Sequence, residues 1–422
     1  MSVTNTTTTV SREERGALIA AKTKLRKNGK GWIVPSQSGN GEYLVDPEQH
    51  TCTCPDFVQR GVTCKHQVAV TFTIERETRK DGTVKETRSV RVTYSQEWSS
   101  YNAAQTHEGE RFLQLLHSLC EGVEQPPQGN GRPRLPLADV VFALALRSYL
   151  TVSGRRATSF VRDAERQGLI DRVPSFQSAF RYLESADLTA LLKSLIEESA
   201  KPLKAVETDF AADSTGFATA VYQRWFDHKW GKIRSEHTWV KAHLICGVKT
   251  NIVTAAEVHA TETADAPQLP ALVNKTAQTF NIQEVSADKA YSSRKNLHVV
   301  EAVGGVAYIP FKAGTNGMGR NFDGLWNRMW HFYNFNQGAF FDHYHKRSNV
   351  ETTMSMIKAK FGTSVRAKTP VAQVNEVLLK ILCHNLVVLV SSFYELGVEA
   401  VFFGTSETEL PLVPNVRALN DF

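Results

Sequence analysis

The sequence has few cysteines, no long apolar run and no apolar leader segment after Met1. Only 6 of its 422 residues are cysteine, which argues against a disulfide framework in a chain of this size. The first ten residues, MSVTNTTTTV, contain no basic segment followed by an apolar one, so no signal peptide is predicted. No uninterrupted apolar run approaches the roughly 18 residues that cross a membrane. These absences predict a cytoplasmic protein with no membrane partner.

Composition and charge are those of a globular protein with several domains. The chain is 42% hydrophobic and 22% charged, and its length predicts two to four domains. The formal net charge of +6 is compatible with a polyanionic partner without being specific for one. The most apolar stretch, Leu378–Phe403, is interrupted by Lys380 and Glu395, and therefore predicts a helix that faces a core.

Changes in composition along the chain predict five segments. The Pro- and Gly-rich stretch QPPQGNGRPRLP is the best candidate for a linker. The segments are a small α+β module (1–124), the linker (125–136), a helical domain (137–204), an α/β domain (205–395) and a tail (396–422).

Within the first segment, β structure is predicted from Trp32 to Val45 and a helix over Glu97–Val123. The stretches VTFTIERETRK and TVKETRSVRVTY flank the turn residues Asp81 and Gly82, which predicts a β-hairpin.

The helical segment carries polar and basic side chains that suit a DNA-binding surface. Its short helices, one with a predicted N-cap at Ser175, are compatible with a helix-turn-helix-like reader of DNA. A helical spacer with solvated arginines explains the same pattern equally well. The side chains concerned are Arg155, Arg156, Arg162, Gln177 and Arg181.

After Lys204 the sequence pattern predicts a series of strands, followed by alternating helices and strands. VETDFAAD, ATAVYQRWF, TWVKAHLICGV and NIVTAAEVHA are predicted strands, and EVSAD and GVAYIPF follow between helices. A long helix ends the series. This order predicts a mixed α/β sheet of the RNase H type.

Four polar residues in DHYHKRSNVETTMSMIKAKFG are spaced to share one face of a helix. Tyr344, Arg347, Glu351 and Lys358 fall within an arc of about 60° at the helical angle. A face of this chemistry does not build an apolar seam. The spacing resembles the signature helix Y-x2-R-x3-E-x6-K of the DDE transposases of bacterial insertion sequences.

Two further acids lie at predicted strand ends. Asp213 ends VETDFAAD and precedes Ser-Thr-Gly, and Asp288 ends EVSAD and precedes Lys-Ala-Tyr-Ser. These blocks resemble, in the same order, the other two catalytic blocks of the family. The resemblance implies that Asp213, Asp288 and Glu351 are the catalytic, metal-binding residues, holding Mg²⁺ or Mn²⁺ as two ions. Asp209 and, more weakly, Glu207 compete with Asp213 from the same strand face.

The remaining signature residues have chemistry that suits DNA. Arg347 and Lys358 are candidate phosphate contacts, and Tyr344 is a candidate hydrogen-bond donor to the DNA backbone. An ion pair between Arg347 and Glu351 is the structural alternative. In related transposases an aromatic side chain near this point stacks on a flipped base, which makes Trp326 and Trp330 candidates, although most such aromatics are core.

The cysteines that crowd together form a metal-ligand pattern. C-x-C and C-x-H pairs separated by nine residues supply the ligands of a closed, structural Zn²⁺ site. The text HTCTCPDFVQRGVTCKHQVAV resembles the SWIM-type zinc finger. The ligands that the pattern predicts are Cys52, Cys54, Cys64 and His66, with His50 outside the pattern.

Together the resemblances imply a DNA transposase that cleaves insertion-sequence ends and joins the 3′-OH to target DNA. Its partners would be the terminal inverted repeats and the target, and joining two ends implies at least a dimer. The alternatives are a domesticated DNA-binding protein, a metal-dependent nuclease of the same fold, and a SWIM-containing adaptor, which would leave the α/β half without a purpose.

Overall fold

The chain forms two compact units, residues 1–96 and residues 97–422. The computed structural model describes residues 12–23, 25–29, 31–36, 41–74, 76–78, 84–86, 97–128, 130, 133–219, 239–317 and 323–403. The units divide before the Pro- and Gly-rich linker at 125–136. The reason is that the helices of residues 98–121 bury Phe112, Leu116 and Leu119 in the core of the second unit.

The first unit is a small α+β module. It contains α1 (Arg12–Lys22), β1 (Arg26–Asn28), β2 (Gly31–Pro35), β3 (Glu42–Asp46), β4 (Thr51–Cys52), α2 (Pro55–Arg60), α3 (Lys65–Ile74), β5 (Arg76–Thr78) and β6 (Val84–Glu86). Strands β1 to β4 form an antiparallel sheet in chain order. Ile19, Val34, Val45 and Val70 form its apolar core.

The predicted hairpin is present but shorter than the sequence suggests. β5 pairs with β6 in antiparallel register, with Arg76 opposite Glu86, and the turn residues Asp81 and Gly82 lie outside the described residues. The stretch before β5 was predicted as strand and is helix up to Ile74. Tertiary packing overrides the β propensity there, because Gly16 on α1 lets Val68 of α3 approach closely: a Cβ at Gly16 would lie 2.6 Å from Val68.

The second unit is a mixed α/β structure with many helices. Its helices are α4 (Trp98–Thr106), α5 (Glu108–Glu121), α6 (Leu137–Leu150), α7 (Gly154–Arg166), α8 (Phe176–Leu183), α9 (Ala186–Ala200), α10 (Leu269–Ala277), α11 (Arg294–Ala302), α12 (Gly324–Phe335), α13 (Gln337–Tyr344), α14 (Ser348–Phe361) and α15 (Pro370–Leu396). Its strands are β7 (Asp209–Ala218), β8 (Trp239–Gly247), β9 (Val253–His259), β10 (Glu284–Ala287) and β11 (Val306–Tyr308). Ser175 caps α8, as predicted: its hydroxyl accepts the N–H of Ser178 at 3.1 Å.

The five strands form one mixed sheet in the order β11-β10-β7-β8-β9. β8 runs antiparallel to both of its neighbours, β7 and β9. β10 runs parallel to both of its neighbours, β7 and β11. β7 therefore lies in the centre, next to both kinds of partner.

β7 does not end at Asp213, as the sequence predicts, but continues to Ala218. β8 pairs with it along its whole length, from Phe210 opposite Gly247 to Ala218 opposite Trp239, and this pairing extends the strand through Ser-Thr-Gly. Of the strand predicted at ATAVYQRWF, residues 220–226 lie outside the described residues.

Helix α15 is the central helix of the second unit. It is the one continuous helix in the described part of the chain that is long and apolar enough to cross a bilayer, yet 78% of its most apolar window is buried in the protein. It begins at Pro370 and ends at Gly397, whose φ of 67° is the left-handed conformation that glycine adopts readily. The prediction of a core-facing helix is confirmed.

Candidate active site and zinc site

Asp213 and Asp288 occupy neighbouring positions along two adjacent parallel strands of the sheet. Ala287, the last residue of β10, pairs with Ala212 on β7, so the next residues on the two parallel strands are Asp288 and Asp213. Asp288 directly follows β10, as predicted, and its carboxylate accepts the N–H of Lys289 at 2.6 Å. The carboxylate of Asp213 accepts the N–H of Ser214 at 2.8 Å.

The four signature residues lie on consecutive helical segments instead of one helix. Tyr344 is the last residue of α13, Arg347 ends a 3₁₀ turn over His345–Arg347, and Glu351 and Lys358 lie on α14. The single long helix predicted from the sequence is therefore wrong in this detail.

The turn has a tertiary cause. Lys346, in the middle of the turn, donates to Asp209 on β7 and to Glu284 on β10, at 2.7 Å each. His343 lies 2.8 Å from the same Glu284 carboxylate. These contacts hold the turn against two neighbouring strands, and a 3₁₀ turn is the tighter form that a helix adopts over a few residues.

Arg347 connects the signature segment to the central strand. Its guanidinium donates to Asp213 at 2.6 Å and to Glu351 at 2.5 Å. The side chains of Arg347 and Asp213 are about one-fifth exposed, while that of Glu351 is 54% exposed. The ion pair that the sequence offered as an alternative is thus present, and it includes Asp213 as well.

The acids of this site repel one another. Burial raises the pKa of Asp213, and the charges of Asp288 and Glu351 raise it further, against the opposing effects of the Ser214 N–H and Arg347. Three carboxylates with oxygen donors only are the ligand chemistry that Mg²⁺ and Mn²⁺ prefer. The three carboxylates have the ligand chemistry for a divalent metal, although their oxygens do not all lie within 4.8 Å of one another; Arg347 pairs with two of them.

Asp209, on β7, and Glu207, just before β7, compete with Asp213 for the role of metal ligand, but both have other partners. Asp209 is held by Lys346. Glu207 is fully buried, and its carboxylate accepts the N–H groups of Lys249 and Thr250 at 3.2 and 2.6 Å and the Thr250 hydroxyl at 2.7 Å. Glu207 therefore stabilises the turn between β8 and β9.

The other candidate DNA contacts differ in their surroundings. Lys358 donates to the Thr215 hydroxyl at 2.6 Å, and burial lowers its pKa. Burial raises the pKa of the half-buried Tyr344. Trp326 is 8% exposed and its indole N–H donates to the carbonyl of Asn316, while the Trp330 indole donates to that of Thr315. Both tryptophans thus have core contacts.

A buried network beside Asp213 escaped the sequence analysis. The hydroxyl of the fully buried Tyr291 lies 3.3 Å from Nδ1 of His243, and Nε2 of His243 lies 3.1 Å from the Thr263 hydroxyl. Lys241 pairs with Asp265 at 2.7 Å, and Asp265 lies 3.5 Å from His243. Burial lowers the pKa of His243 to about 4. Tyr291 belongs to the block Asp-Lys-Ala-Tyr-Ser that begins at Asp288. This block was the sequence signal that could have pointed to the network.

The cysteine–histidine cluster of the first unit is assembled as predicted. In the described part of the chain it is the one group of His, Cys, Asp or Glu whose ligand atoms all lie within 4.8 Å of one another. All four side chains are buried: Cys52, Cys54, Cys64 and His66.

Local structure places these ligands. Cys54 is the N-cap of α2, and Gly61, with a φ of 63°, ends that helix and returns the chain to Cys64. Nδ1 of His66 lies 4.0 Å from the Cys52 sulfur and 3.9 Å from the Cys64 sulfur. The hydrogen bond with Cys52 lowers the pKa of Cys64, which favours the thiolate that Zn²⁺ binds. The cluster fits a closed, structural zinc site.

Two family models match the parts of the chain that contain these sites. A family model described as a transposase DDE domain matches residues 204–386, and one described as a SWIM zinc finger matches residues 39–75. Among solved structures, the chain is similar to one described as a cryo-EM structure of a piggyBac transposase synaptic complex with hairpin DNA. That match has 12% identity, covers 74% of this chain and 78% of the other, and has a TM-score of 0.32, too low to support an argument about the fold. The chain thus contains a DDE transposase domain preceded by a SWIM zinc finger.

Proposed function

We propose that this protein is a DNA transposase that cleaves the ends of an insertion sequence and joins the freed 3′-OH to target DNA. The observation that carries the proposal is that Asp213 and Asp288 follow paired residues of adjacent strands, and Arg347 bridges Asp213 to Glu351, within a DDE transposase domain. A mixed sheet with β7 between antiparallel and parallel neighbours supports an RNase H-like fold for that domain.

The proposed catalytic residues are the three acids. Asp213, Asp288 and Glu351 would hold two Mg²⁺ or Mn²⁺ ions, which supply positive charge to the attacking and leaving oxygens of a phosphodiester. Water attacks the phosphodiester at the element end and releases a 3′-OH. That hydroxyl then attacks a target phosphodiester, forms the new strand junction and releases the target's own 3′-OH.

The basic residues of the signature position DNA. Arg347 would turn from the carboxylates to a phosphate as the acids take up metal, since its planar guanidinium suits either anion. Lys358 contributes a second positive charge from α14, and Tyr344 a hydrogen-bond donor. Trp326 and Trp330 stay candidates for base stacking, in which case one of them must leave its core contacts.

DNA presentation would involve the helices α7 and α8 and the zinc finger. The five polar residues singled out on these helices, which support a helix-turn-helix-like role, are all exposed. In the finger, one Zn²⁺ would fix the fold of residues 41–74, from which Arg60 and Lys65 are the candidate contacts to the terminal inverted repeats. Two ends must meet for joining, so the proposed active form is a dimer or larger, acting in the cytoplasm.

Cleavage of the natural flanking DNA tests the proposal. The substrate is a duplex carrying the DNA that flanks the coding region, incubated with the full chain and Mg²⁺ or Mn²⁺. Asp288→Asn should bind this duplex as well as the wild type and lose cleavage, whereas Asp342→Asn, an exposed acid of α13, should retain both. Full cleavage by Asp288→Asn would overturn the assignment.

The same reaction separates the alternatives. Joining of the released 3′-OH to a second plasmid supports a transposase. Cleavage without joining indicates a nuclease, and binding without either reaction, in the wild type, indicates a DNA-binding protein. The nuclease is the closer alternative, because a protein that only binds DNA needs none of the three acids.

A further inference from the structure

A cavity of about 300 Å³ opens where the C-terminal ends of α6 and α14 face the N-terminal half of α15. None of the three proposed catalytic acids lines it. Its wall instead carries four basic side chains and one acid: Arg147, Lys360, Arg366, Lys380 and Glu376.

Arg147 is a buried member of this wall. Its side chain is about nine-tenths buried, with the guanidinium carbon 5.1 Å from the centre of the Phe180 ring. Its Nε is fully buried and has no hydrogen-bond partner among the described residues. Buried guanidinium N–H groups are normally paired, so the Arg147 side chain, which lines the cavity, lacks part of its usual hydrogen bonding.

Most of the other charges already have partners. Lys380 donates to the carbonyls of Gly362 and Ser364 at 2.9 and 2.6 Å, where it offsets the negative end of α14. Lys360 binds both carboxylate oxygens of Glu108, at 2.6 and 2.7 Å.

The acid of the wall is also occupied. The carboxylate of Glu376 accepts the backbone N–H groups of Arg366 and Ala367 at 2.8 to 3.1 Å. Among the described residues no ion pair joins Glu376 to Arg147, although burial lowers the pKa of that guanidinium and the charge of Glu376 acts to raise it. The exposed guanidinium of Arg366 has no ion pair within the described residues either. Two arginines thus remain available to an anion.

We propose that this cavity binds a phosphate group, held by the guanidinium groups of Arg147 and Arg366. Arginine donors form a planar fork that matches phosphate oxygens, and the exposed Thr151 and half-buried Ser364 add hydroxyls at the rim. The phosphate belongs either to a DNA strand or to a free small anion. The inference does not depend on the proposed cleavage reaction.

Thermal unfolding of the full chain in inorganic phosphate tests the site. Phosphate should raise Tm by about 2 °C or more over sodium chloride at equal ionic strength, because a ligand that binds the folded state stabilises it. Arg147→Gln should lose this increment. Arg172→Gln removes an equal charge from an exposed site off the cavity and should keep it.

A second variant covers the case in which Arg147→Gln does not fold. Arg366→Gln changes an exposed side chain at the cavity and leaves the core intact, so it should fold and show a reduced phosphate increment. A wild type that gains no more from phosphate than from chloride overturns the proposal. So does an increment that both cavity variants retain.

Binding to a DNA duplex distinguishes the two sources of phosphate. If the cavity takes a DNA phosphate, Arg147→Gln should lower the slope of log affinity against log salt by about one relative to Arg172→Gln. An unchanged slope, together with a lost phosphate increment in Tm, assigns the site to a free phosphate. Neither readout requires cleavage, so failure here is separate from failure of the proposed function.

Discussion

Arg347 donates a hydrogen bond of 2.6 Å to Asp213 and so pairs that acid of β7 with the residue one helical turn before Glu351. Asp209, four residues earlier, is bound by Lys346 instead. Asp213→Asn should therefore reduce DNA cleavage to background, while Asp209→Asn should retain measurable cleavage because it removes only a contact of the turn. Cleavage of the flanking DNA by the two variants, at equal folded concentration, is the measurement. The reverse ranking would assign the catalytic role to Asp209.

Removing Arg347 should change the response to metal. Arg347→Met leaves three mutually repelling carboxylates without their counter-charge, so the metal-free Tm should fall and Mn²⁺ should raise Tm by more than it does in the wild type. Lys346→Met is the matched control, since it removes the neighbouring charge from Asp209 and Glu284. Equal Mn²⁺ responses in both variants and the wild type would contradict a metal site at the three acids.

Zinc should be bound by the first unit alone. Cys54→Ala should lower the zinc content from about one ion per chain to near zero and reduce the helical circular dichroism of residues 55–74, because structural zinc sites contribute folding free energy. Cys120→Ala, which changes a buried cysteine of the second unit, should keep its zinc. Elemental analysis after dialysis measures both, and retained zinc in Cys54→Ala would contradict the ligand set.

Acid should destabilise the second unit through a buried histidine. Burial lowers the pKa of His384 to about 4, and its Nε2 lies 2.9 Å from the carbonyl of Asn251. The unfolded state then binds more protons than the folded state between about pH 6.5 and pH 4. Stability is therefore complete above pH 6.5 and falls as the pH drops through that window, by up to about 3 kcal/mol for this residue.

His384→Gln keeps an N–H donor and removes the titration. Denaturant unfolding at several pH values should show a shallower loss of stability in this variant than in the wild type. His243, whose pKa burial also lowers to about 4, should account for part of the loss that remains. Identical pH profiles for His384→Gln and the wild type would contradict the prediction.

Glu207 should prove structural. Glu207→Gln replaces one acceptor oxygen with a donor that faces the N–H groups of Lys249 and Thr250, which should cost about 1–3 kcal/mol of unfolding free energy. Glu184→Gln, at an exposed position, should change stability by less than about 0.5 kcal/mol. Below its unfolding temperature Glu207→Gln should still cleave DNA, and loss of cleavage in a folded variant would return Glu207 to the candidate acids.

The sequence predicts best what depends on short spacings. The zinc ligands lie within fifteen positions, so C-x-C and C-x-H suffice to place them. The position of Asp288 directly after a strand was predicted correctly because β10 is a short, mostly buried strand with a clear end. The catalytic roles of Asp213, Asp288 and Glu351 stay predictions, although the sheet register explains how two of them become neighbours.

What the sequence did not predict depends on distant partners. β7 extends past Asp213 because β8 pairs with it, and the turn at His345–Arg347 forms where Lys346 meets two strands. Arg147 lacks any sequence signal, since only the packing of α6 against α15 creates its cavity. Local sequence pattern does not report contacts between segments that lie far apart in the chain.

The position of α15 in the chain has a consequence during synthesis. It packs against α4, α5, α6, α8, α9, α14, β8 and β9, all of which leave the ribosome before it. A nascent chain that stops short of Pro370 therefore already carries the three acids but lacks the helix that fills the core around the sheet. We expect such a chain to remain unfolded, so that the proposed cleavage of DNA begins only after α15 has been made.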